Sequence, residues 1–396
     1  MIFCNFAAAM EKQKVIISTK LETEVATAVG ECERDRIFIL VDETTERLCL
    51  PLIAGFDSVR GAEVITIGAT DENKTLESLT HVWSCLQQGG ATRHSLMINL
   101  GGGMVTDLGG FAASTFKRGM NYINIPTTLL AMVDASVGGK TGINFGGLKN
   151  EIGVFNTAKS VILDTLFLRT MDHENICSGY AEMLKHGLIQ REAIEERGKA
   201  TGRRAELGNE RREERQEAIE ERGERREERD MWAELLNFDL DVIDYHQLSR
   251  MLEDSVKVKE RIVEEDPTEK GIRKALNLGH TVGHAFEALA LKRKPILHGY
   301  AVAYGLICEL YLSTIKTGFP VEKMRQTVRF ITENYGRMPI TCDNYPTLLE
   351  LMTHDKKNVG SDINFTLLGD IGDIRINQTA TKEEIEEALD FYREGF

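Results

Sequence analysis

"INLGGGMVTDLGGFAAS", residues 98–114, runs from a β-rich stretch through three consecutive glycines into a helical pattern. Glycines at a strand-to-helix turn let backbone approach a pyrophosphate, and the free N–H groups of the helix start favour an anion there. The spacing is not G-x-G-x-x-G, so a tight turn with no ligand explains it about as well. Outward from this stretch, "VIIST" (15–19), "RIFILV" (36–41), "EVITIG" (63–68), "NYINIPTT" (121–128) and "SVILD" (160–164) are short β-rich runs bounded by turn residues or charge. Helical patterns such as "TLESLTHVWSCLQQG" lie between them. The alternation predicts a Rossmann-like α/β domain with a parallel sheet over about 10–165. Asp42 closes the second run, where its carboxylate can accept either ribose hydroxyls or the N–H groups of the next helix. Local sequence favours the cap.

Beyond residue 166 the strand signal fades. "ENICSGYAEMLKHGLI" (174–189), "LSRMLEDSVKVKERIV" (248–263), "ALNLGHTVGHAFEALAL" (275–291), "GYAVAYGLICELYLST" (299–314) and "EKMRQTVRFITENY" (322–335) carry helical periodicity. "INFTLLG" and "DIRINQ" read as a late hairpin. A mostly α-helical domain is therefore expected over 166–396. Within it, residues 190–230 hold 12 Lys/Arg and 14 Asp/Glu, with "EAIEERG" and "ERREER" each occurring twice. Such a stretch buries no apolar face, so it reads as a charged low-complexity insertion that loops outward.

At 396 residues the chain is too long for one ordinary core. A net charge of -14 argues against nucleic acid as the main partner, while leaving room for a basic pocket that takes a phosphorylated metabolite. No apolar run suggests a membrane span, and the N-terminal apolar stretch lacks the basic start of a signal peptide, with Met10 as good a start as Met1. The seven cysteines are scattered without a CxxC pair. That fits reduced cytoplasmic thiols and leaves His and carboxylate to hold any metal.

Two further constellations point to chemistry. "RGMNYINIPTTLLAMVDASVGGKTGINFGGLKN" (118–150) gathers Arg118, Thr127, Thr128, Asp134, Lys140, Lys149 and Asn150, with five glycines between Asp134 and Lys149. Glycine-rich loops bearing lysines suit an anionic substrate. The second spans "GYAEMLKHG" (179–187), "RKALNLGHTVGH" (273–284) and "LHGYAVAYG" (297–305). His280 and His284 are four apart and share a helix face, as in H-E-x-x-H zinc sites, but the glutamate between them is missing. Catalytic zinc usually takes three protein ligands, so Glu182 with two histidines would suffice. Spacing alone does not choose among His186, His280, His284 and His298.

Taken together, "GGGMVTDLGGF…PTTLLAMVDASVGGKTGIN…KN…SGYAEMLKHGLI…GIRKALNLGHTVGHAFE…LHGYAVAYG" closely resembles the 3-dehydroquinate synthase family of the shikimate pathway, over essentially 10–396 apart from the insertion. The resemblance implies a lyase that converts 3-deoxy-D-arabino-heptulosonate 7-phosphate to 3-dehydroquinate and phosphate, in aromatic amino acid biosynthesis. It implies NAD and one zinc (or cobalt) ion as cofactors. The reaction would run by transient oxidation, phosphate elimination, re-reduction and intramolecular aldol closure. Rival readings are another NAD- and metal-dependent sugar phosphate cyclase, a polyol dehydrogenase of related fold, or a scaffold using the charged insertion. A cytoplasmic homodimer acting on a small sugar acid phosphate, with no nucleic-acid or membrane partner, is expected.

Carried over residue by residue, the metal ligands fall on Glu182, His280 and His298, with His284 near substrate instead. NAD contacts fall on Asp42, Asp71, Lys74, Gly103, Met104, Val105, Thr106, Asp107, Thr127, Thr128, Lys140, Lys149, Phe167, Leu168, Arg169 and Thr170. Substrate contacts and catalytic roles fall on Arg118, Asp134, Lys140, Asn150, Lys185, Lys259, Arg273, Asn277, His284 and Lys356, with Lys357 an alternative to the last. The chain departs from the family pattern at His186, Pro267 and Tyr300.

Overall fold

The Val- and Ile-rich runs form one six-stranded sheet in the computed structural model, which describes residues 13–190, 230–291, 293–353 and 363–395. In chain order the N-terminal part holds β1 (Lys14–Ile17), α1 (Leu21–Glu31), β2 (Ile37–Asp42), α2 (Glu43–Leu48), β3 (Glu63–Ile67), α3 (Leu76–Gln88), β4 (Leu96–Gly101), α4 (Gly103–Thr115), β5 (Asn121–Pro126), β6 (Lys140–Phe145), β7 (Leu148–Phe155) and β8 (Ser160–Leu163). The sheet order is β1-β8-β5-β4-β2-β3, and every pair is parallel. Strands buried on both faces need no polar alternation, and every residue of β4 is buried. The chain passes from β3 on one side of β2 to β4 on the other, so the winding reverses between β2 and β4. A crevice opens at such a point beyond the carboxyl ends of the strands, where ligands bind in doubly wound sheets. Asp42 ends one of the two strands, and the Gly101–Gly103 turn follows the other.

The rest is mostly helical: α5 (His173–Ile189), α6 (Met231–Leu236), α7 (Tyr245–Glu265), α8 (His280–Leu291), α9 (His298–Thr317), α10 (Val321–Tyr335), α11 (Tyr345–Thr353), the hairpin β9–β10 (Asn364–Asp370, Asp373–Thr379) and α12 (Lys382–Glu394). Helix α9 is its axis, packing against α5, α8, α10, α12 and β9. No helix among the described residues is long and apolar enough to cross a membrane, and the described cysteines are all free thiols.

Two local expectations need correction. The glycine-rich stretch 140–155 is an antiparallel hairpin of β6 and β7 rather than a loop. Its glycines hid the β pattern, and β7 is exposed along its whole length, so no buried alternation marks it. The helix expected over 275–291 begins only at His280. Residues Ile272–Asn277 form a 3-10 segment, and Gly279, with φ of +79°, breaks the path between the two. The insertion and Lys356 with Lys357 lie outside the described residues.

Helices α5, α8 and α9 approach closely enough to require glycine. A Cβ on Gly305 would overlap the Gly279 carbonyl, and one on Gly299 would overlap the Ser178 carbonyl. Gly305→Ala is therefore expected to destabilise the fold by about 1–3 kcal/mol through overpacking. Gly30→Ala, with nothing within 4 Å of the new methyl, should leave stability unchanged or slightly raised. Denaturant unfolding of both variants checks this, and equal midpoints would refute the close-packing argument.

Candidate functional site

Three helices converge on one buried carboxylate. Glu182 lies in α5, fourteen of whose seventeen residues are buried, and its side chain has no exposed surface. Its Oε1 lies 3.4 Å from His280 Nε2 at the start of α8 and 3.6 Å from His298 Nε2 at the start of α9. That oxygen makes no hydrogen bond. Its other oxygen, Oε2, pairs with Lys185 one turn along α5. Burial opposes ionisation of Glu182, but Lys185 and then His280 and His298 outweigh it and hold the carboxyl well below its usual range.

His284 joins the group from the face it shares with His280. His280, His284 and His298 each offer a ring nitrogen within 4.8 Å of the others. Three imidazoles thus cluster, two of them facing Glu182 Oε1, and the histidine choice that spacing left open narrows. His186 turns elsewhere, bonding Ser255 Oγ on α7 through Nδ1 at 2.7 Å, and burial with the neighbouring Lys185 pushes its pKa down to about 3. A buried carboxylate oxygen without a hydrogen bond, facing two imidazoles, is a donor set suited to a divalent cation such as zinc. Burial also disfavours the imidazolium of His298, but Glu182 and Glu287 outweigh it and raise the pKa to about 10. A cation taking Nε2 must therefore displace a proton.

Glu309 of α9 sets the direction of α8. Its carboxylate is fully buried and accepts from Gly279 N–H at 2.6 Å and Val282 N–H at 3.1 Å, satisfying the start of the helix that carries His280. Nothing in the sequence around residue 309 announced this role, because a cross-helix cap leaves no local pattern. Glu287 was also missed as a partner. Its Oε2 lies 3.3 Å from His298 Nδ1, and its Oε1 accepts from Lys149 Nζ at 2.7 Å. Its place one helical turn beyond His284 was the available signal.

The cations around this centre are already partnered. Lys259 pairs with the Asp134 carboxylate and its backbone carbonyl. Lys140 pairs with Glu269, which also accepts from Asn277 Nδ2 at 3.0 Å. Arg273 donates to the carbonyls of Pro267 at 2.7 Å and Gly138 at 3.2 Å. Burial lowers the pKa of Lys259, with Asp134 opposing the shift.

Toward the sheet, Asp42 caps α2, its Oδ1 accepting from Thr44 N–H at 2.8 Å and Thr45 N–H at 2.9 Å. Lys74 is buried and donates to Asp107 Oδ2 at 2.5 Å and to Asn150 Oδ1. Asp71 lies 3.5 Å from Lys149. Gly103, Met104, Val105 and Thr106 form the first turn of α4, and Thr127 N–H donates to Gly101 O at 3.0 Å. Thr128 Oγ1 accepts from Ala131 N–H. Phe167 and Leu168 are fully buried core side chains, so only their backbone can meet a ligand. Arg169 packs on the Tyr245 ring, and Thr170 Oγ1 donates to Phe167 O at 2.7 Å.

Arg118 stands apart. It sits in a left-handed turn, φ +71°, entering β5, while Thr127 follows the other end of that strand. Six residues of strand separate them by about 20 Å. A single chain does not bring Arg118 to Thr127 or to the loop that follows it.

Comparison with known proteins agrees with the geometry. The profile described as 3-dehydroquinate synthase N-terminal matches residues 64–178, and that described as 3-dehydroquinate synthase C-terminal matches 224–358. A 3-dehydroquinate synthase of Parabacteroides distasonis is 50% identical over 388 residues, covering 98% of this chain and 99% of that protein. The chain belongs to the 3-dehydroquinate synthase family. Among solved structures, a 2-deoxy-scyllo-inosose synthase complexed with carbaglucose-6-phosphate, NAD+ and Co2+ superposes with a TM-score of 0.76 at 20% identity, over 96% of each chain. The 2-epi-5-epi-valiolone synthase of Streptomyces hygroscopicus, with NAD+ and Zn2+ bound, gives 0.74 at 23% identity, over 97% of each chain. At those identities the two structures establish the shared fold, a Rossmann-like α/β part followed by a helical part.

The Lys185–Glu182 pair allows a test of the cation geometry that is independent of turnover. Lys185→Met leaves the buried Glu182 charge without its ammonium, which should cost about 3–5 kcal/mol in chelator-treated protein. Saturating Zn2+ should recover most of that loss, since a cation beside Oε1 supplies the missing charge. Denaturant unfolding with and without metal reads both quantities, and a deficit that metal leaves untouched would remove Glu182 from the cation site.

Proposed function

We propose that the chain catalyses its family's reaction, turning 3-deoxy-D-arabino-heptulosonate 7-phosphate into 3-dehydroquinate and phosphate. The observation that carries this reading is Glu182 Oε1, buried without a hydrogen bond and facing His280 and His298 within 3.6 Å. Those three side chains would hold a divalent cation, with the His284 ring beside it on the substrate side. When bound, the cation supplies Lewis-acid polarisation of substrate oxygens, and NAD supplies a hydride acceptor that returns what it takes.

The remaining work falls to the chain. The first turn of α4, from Gly103 through Asp107, would receive the dinucleotide pyrophosphate on its free N–H groups, with Asp42, Asp71, Lys74, Thr127, Thr128, Lys149 and the Phe167–Thr170 backbone lining the same crevice. Lys140, Lys185, Lys259 and Arg273, with Asn150, would exchange their present partners for the substrate's carboxylate and phosphate, which orients the sugar acid and neutralises its charge. His284 and Asn277 would pass protons to and from substrate oxygens, and Asp134 would keep Lys259 placed. Lys356 is carried in this set on the family resemblance alone.

Arg118 fits the reading only if a second copy presents it to this site, so the expected homodimer is part of the proposal. Exposed Leu148, Ile152, Val154 and Phe155 on β7 offer an apolar surface such a copy would cover. Free thiols on the described cysteines fit a cytoplasmic enzyme.

Phosphate release from the heptulosonate phosphate, measured with and without a chelator, tests this. Release should require metal, show no net NADH accumulation, and fall by at least about a thousandfold in Glu182→Gln and His298→Ala. NAD affinity in both variants should stay within a few-fold of wild type. Full turnover by either variant, or steady NADH build-up, would overturn the assignment.

A further inference from the structure

Glu287 has a second, independent tie to the cation site, and it reaches the sheet-bearing half of the molecule. On α8 it follows His280 by seven residues and His284 by three, which keeps all three on one helix face. Its carboxylate is mostly buried and has a separate partner on each oxygen. Oε2 faces His298 Nδ1 at 3.3 Å, and Oε1 accepts from Lys149 Nζ at 2.7 Å.

A carboxylate paired with an ammonium, as Glu287 is with Lys149, can only accept a hydrogen bond. The contact with Oε2 therefore places a proton on His298 Nδ1 and leaves Nε2, on the other side of the ring, for a cation beside Glu182. Partners of this kind orient ligating imidazoles and raise their basicity. Lys149 belongs to β7 and also lies 3.5 Å from Asp71, so the hairpin of the sheet-bearing half braces the ligand of the helical half.

The geometry points to Glu287 as the positioning residue of the metal ligand His298, with Lys149 fixing Glu287 from the β6–β7 hairpin. This rests on the metal reading given above. An ion pair serving only to dock the hairpin on α8 would stabilise the fold without altering how a cation is bound, and that difference is measurable.

The experiment uses the full chain, as wild type, Glu287→Ala, Glu287→Gln and Lys149→Met. Each is stripped with chelator, titrated with Zn2+ against a chromophoric competitor, and loaded with Co2+ for its visible spectrum. Glu287→Ala should weaken Zn2+ binding by about 10- to 100-fold and shift the Co2+ bands. Glu287→Gln, which keeps an oxygen acceptor for Nδ1–H, should restore a large part of that loss. Lys149→Met should weaken binding several-fold, because Glu287 then keeps its place with one tie fewer. Zn2+ affinity within twofold of wild type in both Glu287 variants, with unchanged Co2+ bands, would overturn the role. Should circular dichroism show Glu287→Ala unfolded, Glu287→Gln and Lys149→Met decide, and wild-type affinity and spectrum in both would sink the proposal. A wild-type chain without a stoichiometric Zn2+ site would instead overturn the metal reading itself, together with this inference.

Discussion

A carboxylate with no exposed surface is the constraint around which the helical half is arranged. Removing Glu182 from water is costly, and one adjacent ammonium covers only one of its oxygens. The other oxygen faces two imidazoles that begin two separate helices, so α5, α8 and α9 must meet at fixed positions for the charge to be tolerated at all. Glycines at 299 and 305 let their backbones approach, and the Glu309 carboxylate holds the start of α8 where His280 is needed. Helix packing and the neutralisation of Glu182 are one problem here. A shift of α8 or α9 by a turn would leave Oε1 without an imidazole facing it and Lys185 alone to neutralise the carboxylate.

That arrangement draws the buried carboxylate and the imidazoles facing it from three helices rather than from the His280–His284 pair alone. Two histidines on one helix can swing together with that helix, and their separation then depends on two rotamers. Three helices packed backbone to backbone do not share that freedom. His284 still enters the group, as its i,i+4 relation to His280 requires, with a ring nitrogen within 4.8 Å of both other histidines.

The parallel sheet was legible because β2, β4 and β5 are almost wholly buried, and β2 and β4 are nearly unbroken apolar runs. The β6–β7 hairpin was not, because glycines and lysines are spent there on close approach and charge, and β7 has no buried face to impose alternation. The cap made by Asp42 was readable from its position before α2, since capping is a local interaction. Glu309 and Glu287 act across helices, and a pairing between separate helices leaves no periodic pattern in either one. The helix start at His280 was misjudged because apolar periodicity continues through the 3-10 segment, while the break lies in a single left-handed glycine. The convergence of Glu182, His280 and His298 was available only through family resemblance, because the spacing among the histidines fits several sets equally well.

The chain is acidic overall, with a net charge of -14, yet it gathers Lys140, Lys185, Lys259 and Arg273 around the centre. Each has an acceptor of its own: Glu269, Glu182, Asp134, and the carbonyls of Gly138 and Pro267. Prepaired cations do not repel one another into disorder, and their directions are set before an anion arrives. A phosphate or carboxylate entering the site then gains contacts only by displacing acceptors, so net affinity is smaller than the number of charges suggests. What such a site gains is selectivity. Under the proposed assignment, only a ligand carrying anions at the right separation would satisfy all these donors together, and only one with oxygens near Glu182 would also meet a cation held there.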